Sequence, residues 1–132
     1  VELDKLSGKK LLVVESDDEL FRRGLTSLIT SLSGARVVFD YNVPQDLTRL
    51  FLVEGVDACL IHSPDLEGDI DTIIEMKKLN VPVVILTSLI YRNKDAHFKE
   101  RIKNAGIITV EKTFGLNCYK QALELLNDEF NN

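Results

Sequence analysis

Short apolar runs alternate with segments of helical spacing along the whole chain. Residues 10–14 (KLLVV) are rich in β-forming side chains, and the acidic stretch Glu15-Ser16-Asp17-Asp18-Glu19 follows them. From Leu20, the positions Phe21, Leu25, Leu28, Ile29 and Leu32 recur at the three- and four-residue steps of one helix face, and Gly34 ends the run. The acidic stretch suits the start of that helix, where a capping side chain and carboxylates meet the positive end of the helix dipole. Residues 35–41 (ARVVFDY) predict a second strand. Pro44 then opens a second helix carrying Leu47, Leu50, Phe51 and Val53, which Gly55 closes. Residues 57–61 predict a third strand; Ile70, Ile73, Ile74 and Met76 mark a third helix, and residues 83–86 a fourth strand. A helix over 94–105 capped by Gly106, a strand over 107–110 and a last helix over about 116–130 complete the series.

Five strands alternating with five helices predict an α/β fold: a flavodoxin-like (βα)5 sandwich with a five-stranded parallel sheet and helices on both faces. Right-handed crossovers leave few topologies, of which 2-1-3-4-5 is the common one at this size. Ligands of such sheets bind beyond the carboxyl ends of the strands, near the switch point between strands 1 and 3. That directs attention to residues 15–18, 62–65, 87–88 and 111–112. No repeat, linker or low-complexity stretch interrupts the chain, so residues 1–132 are expected to form a single domain with its core fold over 9–130.

Composition narrows the function. The 132 residues are 45% hydrophobic and 28% charged, without Trp, as in an ordinary soluble domain. Sixteen Lys and Arg against twenty-one Asp and Glu leave a formal charge of −5, which argues against nucleic-acid binding. No apolar run reaches the ~18–20 residues of a membrane span, and the charged opening VELDKLSGKK has no signal-peptide pattern. No membrane contact is expected, and a cytoplasmic location is. Cys59 and Cys118 read as reduced, small buried hydrophobes. His62, His97, Cys59 and Cys118 lack any zinc-ligand spacing, so no metal site is expected from them.

The motifs at the strand ends carry a resemblance over nearly the whole chain. LLVVESDDELFRRGLTSLI, VPVVILTS and AGIITVEKTF resemble strand 1 with helix 1, strand 4, and strand 5 with its loop in receiver domains of two-component signalling. The opening LDKLSGKKLLVVES is also similar to the lead-in of receiver segments inside hybrid sensor histidine kinases. The resemblance implies an acidic pair after strand 1 that helps hold Mg²⁺, and an Asp ending strand 3 that accepts a phosphoryl group. It places Thr87 at the switch hydroxyl and Lys112 at the active-site lysine. It implies protein partners, a histidine kinase or another signalling domain, and a homodimer through helix 1 or the helix 4–strand 5–helix 5 face. On that second face Tyr91, Phe98 and Tyr119 are anchor candidates if exposed, though aromatics are more often buried.

The departures from that pattern fall on the chemistry. His62 stands at the phosphoacceptor position, and an imidazole cannot supply the anionic oxygen that bridges Mg²⁺ and a phosphoryl group. Of the acidic pocket, Glu15 with Ser16 keeps only the first acid; a register one residue later, Ser16 with Asp17, keeps only the second. Thr109 stands where the family usually keeps a switch aromatic, and Thr113 where a proline follows the lysine. The segment SLIYRNKDAHF after Thr87 is longer than usual. The reading is therefore a pseudo-receiver: non-catalytic, without Mg²⁺ or another cofactor, acting through protein contacts, in a parent protein that can itself be a histidine kinase. A phosphoreceiver using Asp65 or Asp17 instead is one alternative. A small flavodoxin-like enzyme or ligand binder using His62 as acid–base is another, opposed by the lack of a Gly-rich phosphate loop after strand 1. Lys112 and Thr87 also read as plain fold features, a lysine neutralising an acidic cluster and a hydroxyl at a strand end. His62 reads equally as a hydrogen-bonded strand-end side chain, and the carboxylates at 15–19 as a solvated helix start.

Overall fold

The apolar runs at 10–14, 58–61 and 83–87 become strands buried on both sides, while the runs at 36–40 and 108–111 form partly exposed edge strands. The computed structural model describes residues 3–15, 18–88, 91, 93–113 and 115–130. Its strands are β1 (Lys10–Val14), β2 (Arg36–Asp40), β3 (Ala58–Ile61), β4 (Val83–Thr87) and β5 (Ile108–Glu111). They pair in parallel in the order β2-β1-β3-β4-β5, the flavodoxin-like topology that the alternation predicts. The helices are α1 (Glu19–Ser33), a π-helical segment α2 (Arg49–Val53), α3 (Leu66–Lys78), α4 (Ala96–Asn104) and α5 (Asn117–Glu129).

The period-two alternation of the strands divides the core. Leu11, Val13, Leu60, Val84 and Val110 face a layer built from α1 and α5. Leu12, Val14, Cys59, Ile61 and Ile85 face the other layer, built from α2, α3 and α4. Side chains that continue a strand beyond its carboxyl end therefore keep that strand's parity, which sets which residues meet at the site.

Helix starts and stops follow the local chemistry. Asp18, Asp65 and Asp95 cap α1, α3 and α4, each carboxylate accepting a backbone N–H three residues on, from Phe21, Gly68 and Phe98. Gly34 takes the left-handed conformation (φ 71°) that ends α1. The second helix is shorter than the spacing predicts. Asp46 accepts from the Arg49 N–H at 3.0 Å, so the turn begins there and not at Pro44. The Glu54 N–H then reaches back to the Arg49 carbonyl at 2.8 Å, a wide turn in which Leu50 is buried while Leu52 and Val53 face solvent. Among the described residues no helix is long and apolar enough to cross a membrane.

Candidate functional site

Three of the predicted residues meet beyond the carboxyl ends of the strands, and parity explains why. Glu15 continues Leu11 and Val13, His62 continues Ala58 and Leu60, and Lys112 continues Ile108 and Val110; all these strand residues pack toward the α1–α5 layer. The His62 N–H donates to the Val14 carbonyl at 2.9 Å, which seats the imidazole beside Glu15. The Lys112 N–H donates to the Thr87 carbonyl at 2.8 Å and anchors the lysine across β4.

Glu15 is the centre of this cluster and is buried, at 2% exposure. Its Oε1 lies 3.0 Å from His62 Nδ1 and 3.5 Å from Lys112 Nζ. Lys112 Nζ in turn lies 3.2 Å from His62 Nδ1. The Tyr119 hydroxyl donates to Glu15 Oε2 from within α5, and Arg22 donates to the Glu15 backbone carbonyl at 3.3 Å. A buried carboxylate needs donors and a counter-charge, and Tyr119, His62 and Lys112 supply both. Phe21 and Tyr119 pack edge to face at 5.7 Å, and the Lys112 ammonium lies 5.4 Å and 5.9 Å from their ring centres. Burial first, and then the hydrogen bond to Glu15, push the Tyr119 phenol far above its ordinary pKa of 10.0.

Tyr119 is an anchor candidate only if exposed. Its helical spacing with Ala122, Leu123 and Leu126 marks it for the α5 core stripe, and the structure buries it completely, so it is no surface anchor. The sequence signal was its polar tip, because a buried tyrosine hydroxyl must find a partner. Tyr91 and Phe98 are half-buried and stack edge to face at 6.4 Å against the α2–α4 layer.

The remaining predicted residues stand apart from the cluster. Thr87 has the opposite parity, and its hydroxyl donates to the Val110 carbonyl at 3.5 Å. Thr109 is exposed on β5, the strand at one edge of the sheet. Ser16 and Asp17 lie outside the described residues, as does part of the segment after Ser88. Asp18 and Glu19 are the helix start that the sequence suggests, Asp18 as the cap and Glu19 exposed and paired with Arg23. Asp65 is engaged in capping α3. His97 is exposed, and Cys59 and Cys118 are buried free thiols.

Beside the cluster, a cleft of about 120 Å³ opens between the β3–α3 and β4–α4 connections. Its walls include His62, Ser63, Asp65, Thr87, Ser88 and Lys94. Ser63 shapes the near wall, donating to Asp69 at 2.6 Å and accepting from the Asp65 N–H at 3.0 Å. On the far wall Lys94 pairs with Glu67, joining the two connections.

Comparison with known proteins supports the architecture. No protein-family model matches the chain, and no curated protein does. Among solved structures, a protein from Burkholderia pseudomallei K96243 described as pilus assembly-related superposes with a TM-score of 0.67 at 15% identity, over 95% of this chain and 92% of that one. SdrG from Sphingomonas melonis Fr1 matches with a TM-score of 0.48 at 20% identity, over 92% of this chain and 97% of that one. The first likeness establishes the shared fold, and at these identities no more than the fold.

Proposed function

We propose that this chain is a receiver-like module of two-component signalling that has lost aspartyl phosphorylation and regulates by protein contact. It is no enzyme in this reading. Its partners are a histidine kinase or another signalling domain, or a second copy of the chain, on the cytoplasmic side. The lead-in to β1 supports a hybrid sensor kinase as the parent.

One observation carries the reading: the charge of the pocket is already internally matched. Glu15 spends its oxygens on Tyr119, His62 and Lys112, and Lys112 lies within reach of both Glu15 and His62. In a working receiver the corresponding lysine must be available to an incoming phosphoryl group. Mg²⁺ requires several oxygen ligands in near-octahedral geometry. Among the described residues this cluster offers one carboxylate, with an ammonium at 3.5 Å and a phenol on its other oxygen. That donor set does not fit the ion.

The test is an amide NMR titration with Mg²⁺ followed by beryllofluoride, a mimic of the phosphoryl group. The expected result is no saturable change at His62, Thr87 or Lys112. Saturable shifts spreading from those residues to α4 would overturn the reading and turn attention to Asp17 or Asp65 as a substitute acceptor.

A further inference from the structure

We propose that the outer edge of β2 is a self-association surface, on which a second copy of the chain adds its own β2 in antiparallel pairing. β2 lies at one edge of the sheet, with β1 as its neighbour. Which backbone groups face outward follows from the bonds on the inner side. The Arg36 N–H donates to the Lys9 carbonyl at 2.8 Å, and the Asp40 carbonyl accepts from the Glu15 N–H at 3.1 Å. Backbone groups alternate in direction along a strand. Arg36, Val38 and Asp40 therefore bond to β1, and Val37 and Phe39 present their N–H and C=O groups outward.

Such an edge accepts another strand unless a proline, a bulge or a charge in its middle prevents it. β2 reads RVVFD and has none of these, and its pairing with β1 keeps one register from Arg36 to Asp40. Val37, Val38 and Phe39 are apolar and only partly buried. Val37 and Phe39 pack toward the α1–α5 layer and Val38 toward the other. The charges stand at the two ends and are opposite in sign. Arg36 is exposed and has no ion-pair partner among the described residues.

That placement selects the occupant. Antiparallel pairing centred on Val38 sets Val37 opposite Phe39 of the second copy, and Phe39 opposite its Val37. These are the residues with outward backbone groups, and each such pair exchanges two N–H···O bonds. The same register sets Arg36 against Asp40 of the second copy at both ends. Residues opposed in that way come within about 4.5 Å, where opposite charges stabilise and like charges oppose pairing. A parallel, in-register pair would instead set Arg36 against Arg36 and Asp40 against Asp40. Shifting the antiparallel pair by one residue brings outward groups against groups already bonded to β1, and shifting it by two leaves both charges unmatched. Each copy carries a formal charge of −5, and one short strand is small beside the about 800 Å² per partner of a stable interface. The dimer is therefore weak and reversible, forming at about 0.1–1 mM. The inference gives the second copy admitted under the proposed function a place of contact, but stands on the edge geometry alone.

Sedimentation equilibrium of the full chain up to about 1 mM, with an amide NMR dilution series, tests it. The expected result is a monomer–dimer equilibrium whose concentration-dependent shifts centre on residues 36–40, with a Val38-to-Val38 contact between differently labelled copies. Val37→Pro removes an outward N–H while the bonds to β1 stay, and should abolish the dimer. Arg36→Asp and Asp40→Arg each oppose like charges in a self-pair, and each alone should associate at least about tenfold more weakly. An equimolar mixture of those two variants matches both ends again and should recover the affinity of the unmodified chain. Asp40 Oδ1 also accepts from the Tyr41 and Asn42 N–H groups; where one variant does not fold by its amide spectrum, the others decide. A chain that stays monomeric throughout, or a dimer indifferent to these substitutions, would overturn the inference. Shifts centred on α1, or on α4, β5 and α5, would also sink it and move the contact to that face. None of these outcomes bears on the Mg²⁺ titration, so the two proposals fail separately.

Discussion

Glu15 shows how one buried charge organises the residues around it. A carboxylate at 2% exposure is stable only while its donors are present, and the Tyr119 hydroxyl is the donor most enclosed by protein. Tyr119→Phe keeps the ring that packs on Phe21 and removes only the hydroxyl. It should cost about 1–3 kcal/mol, the desolvation penalty of an acceptor left short of a donor. Urea unfolding of the two proteins at neutral pH measures it, and an unchanged midpoint would mean that the hydroxyl contributes nothing to holding Glu15. Glu15, His62 and Lys112 were legible in the sequence as residues just beyond strand ends, but so was Thr87, and the parity that separates them is visible only in the structure. The part played by Tyr119 was not legible. Helical spacing reports which face a residue takes, and it is silent on what the polar tip of a core residue will touch across three elements.

At the scale of elements, the aspartates before the helices do the same work three times. Asp18 accepts from the Phe21 N–H at 2.9 Å and Asp95 from the Phe98 N–H at 2.8 Å. Replacing either by Ala should cost about 1 kcal/mol. Because α1 and α4 lie on opposite faces of the sheet, the double variant should lose the sum, to within about 0.5 kcal/mol. Thermal or urea denaturation of the two single variants and the double variant tests this; a shortfall well beyond that margin would mean the two helix starts are coupled. The strands and four of the helices were readable because burial on two faces, or on one stripe, repeats over many residues. The segment after β2 was not, because its outcome hangs on a few local bonds. Leu52 and Val53 look like part of an apolar helix face in the sequence. The Asp46 cap and the wide turn closed by the Glu54 N–H instead leave them at 80% and 76% exposure.

For the molecule as a whole, the groups that keep their protons on folding predict an alkaline limit to stability. Cys59 sits in the middle of β3, buried on the α2–α4 face, and desolvation pushes its thiol from 9.0 up to about 12. Tyr119 is raised too, from 10.0, by burial first and then by its bond to Glu15. Both are acids whose neutral form the fold favours, so the folded chain holds protons that the unfolded chain has released. The stability they contribute is therefore complete below pH 9 and falls as pH rises above the unfolded values. For Cys59 the loss runs from pH 9 to about 12, at a limiting slope of about 1.4 kcal/mol per pH unit. Tyr119 adds to it above pH 10. Cys59→Ala removes the first contribution while keeping a small apolar side chain on the strand. Its unfolding free energy should start lower, for the lost packing, and then fall less steeply than that of the unmodified chain between pH 9 and 11. Parallel curves for the two proteins across that window would show that the thiol is ionised in the folded state no later than in the unfolded one, and that the sheet around β3 admits water.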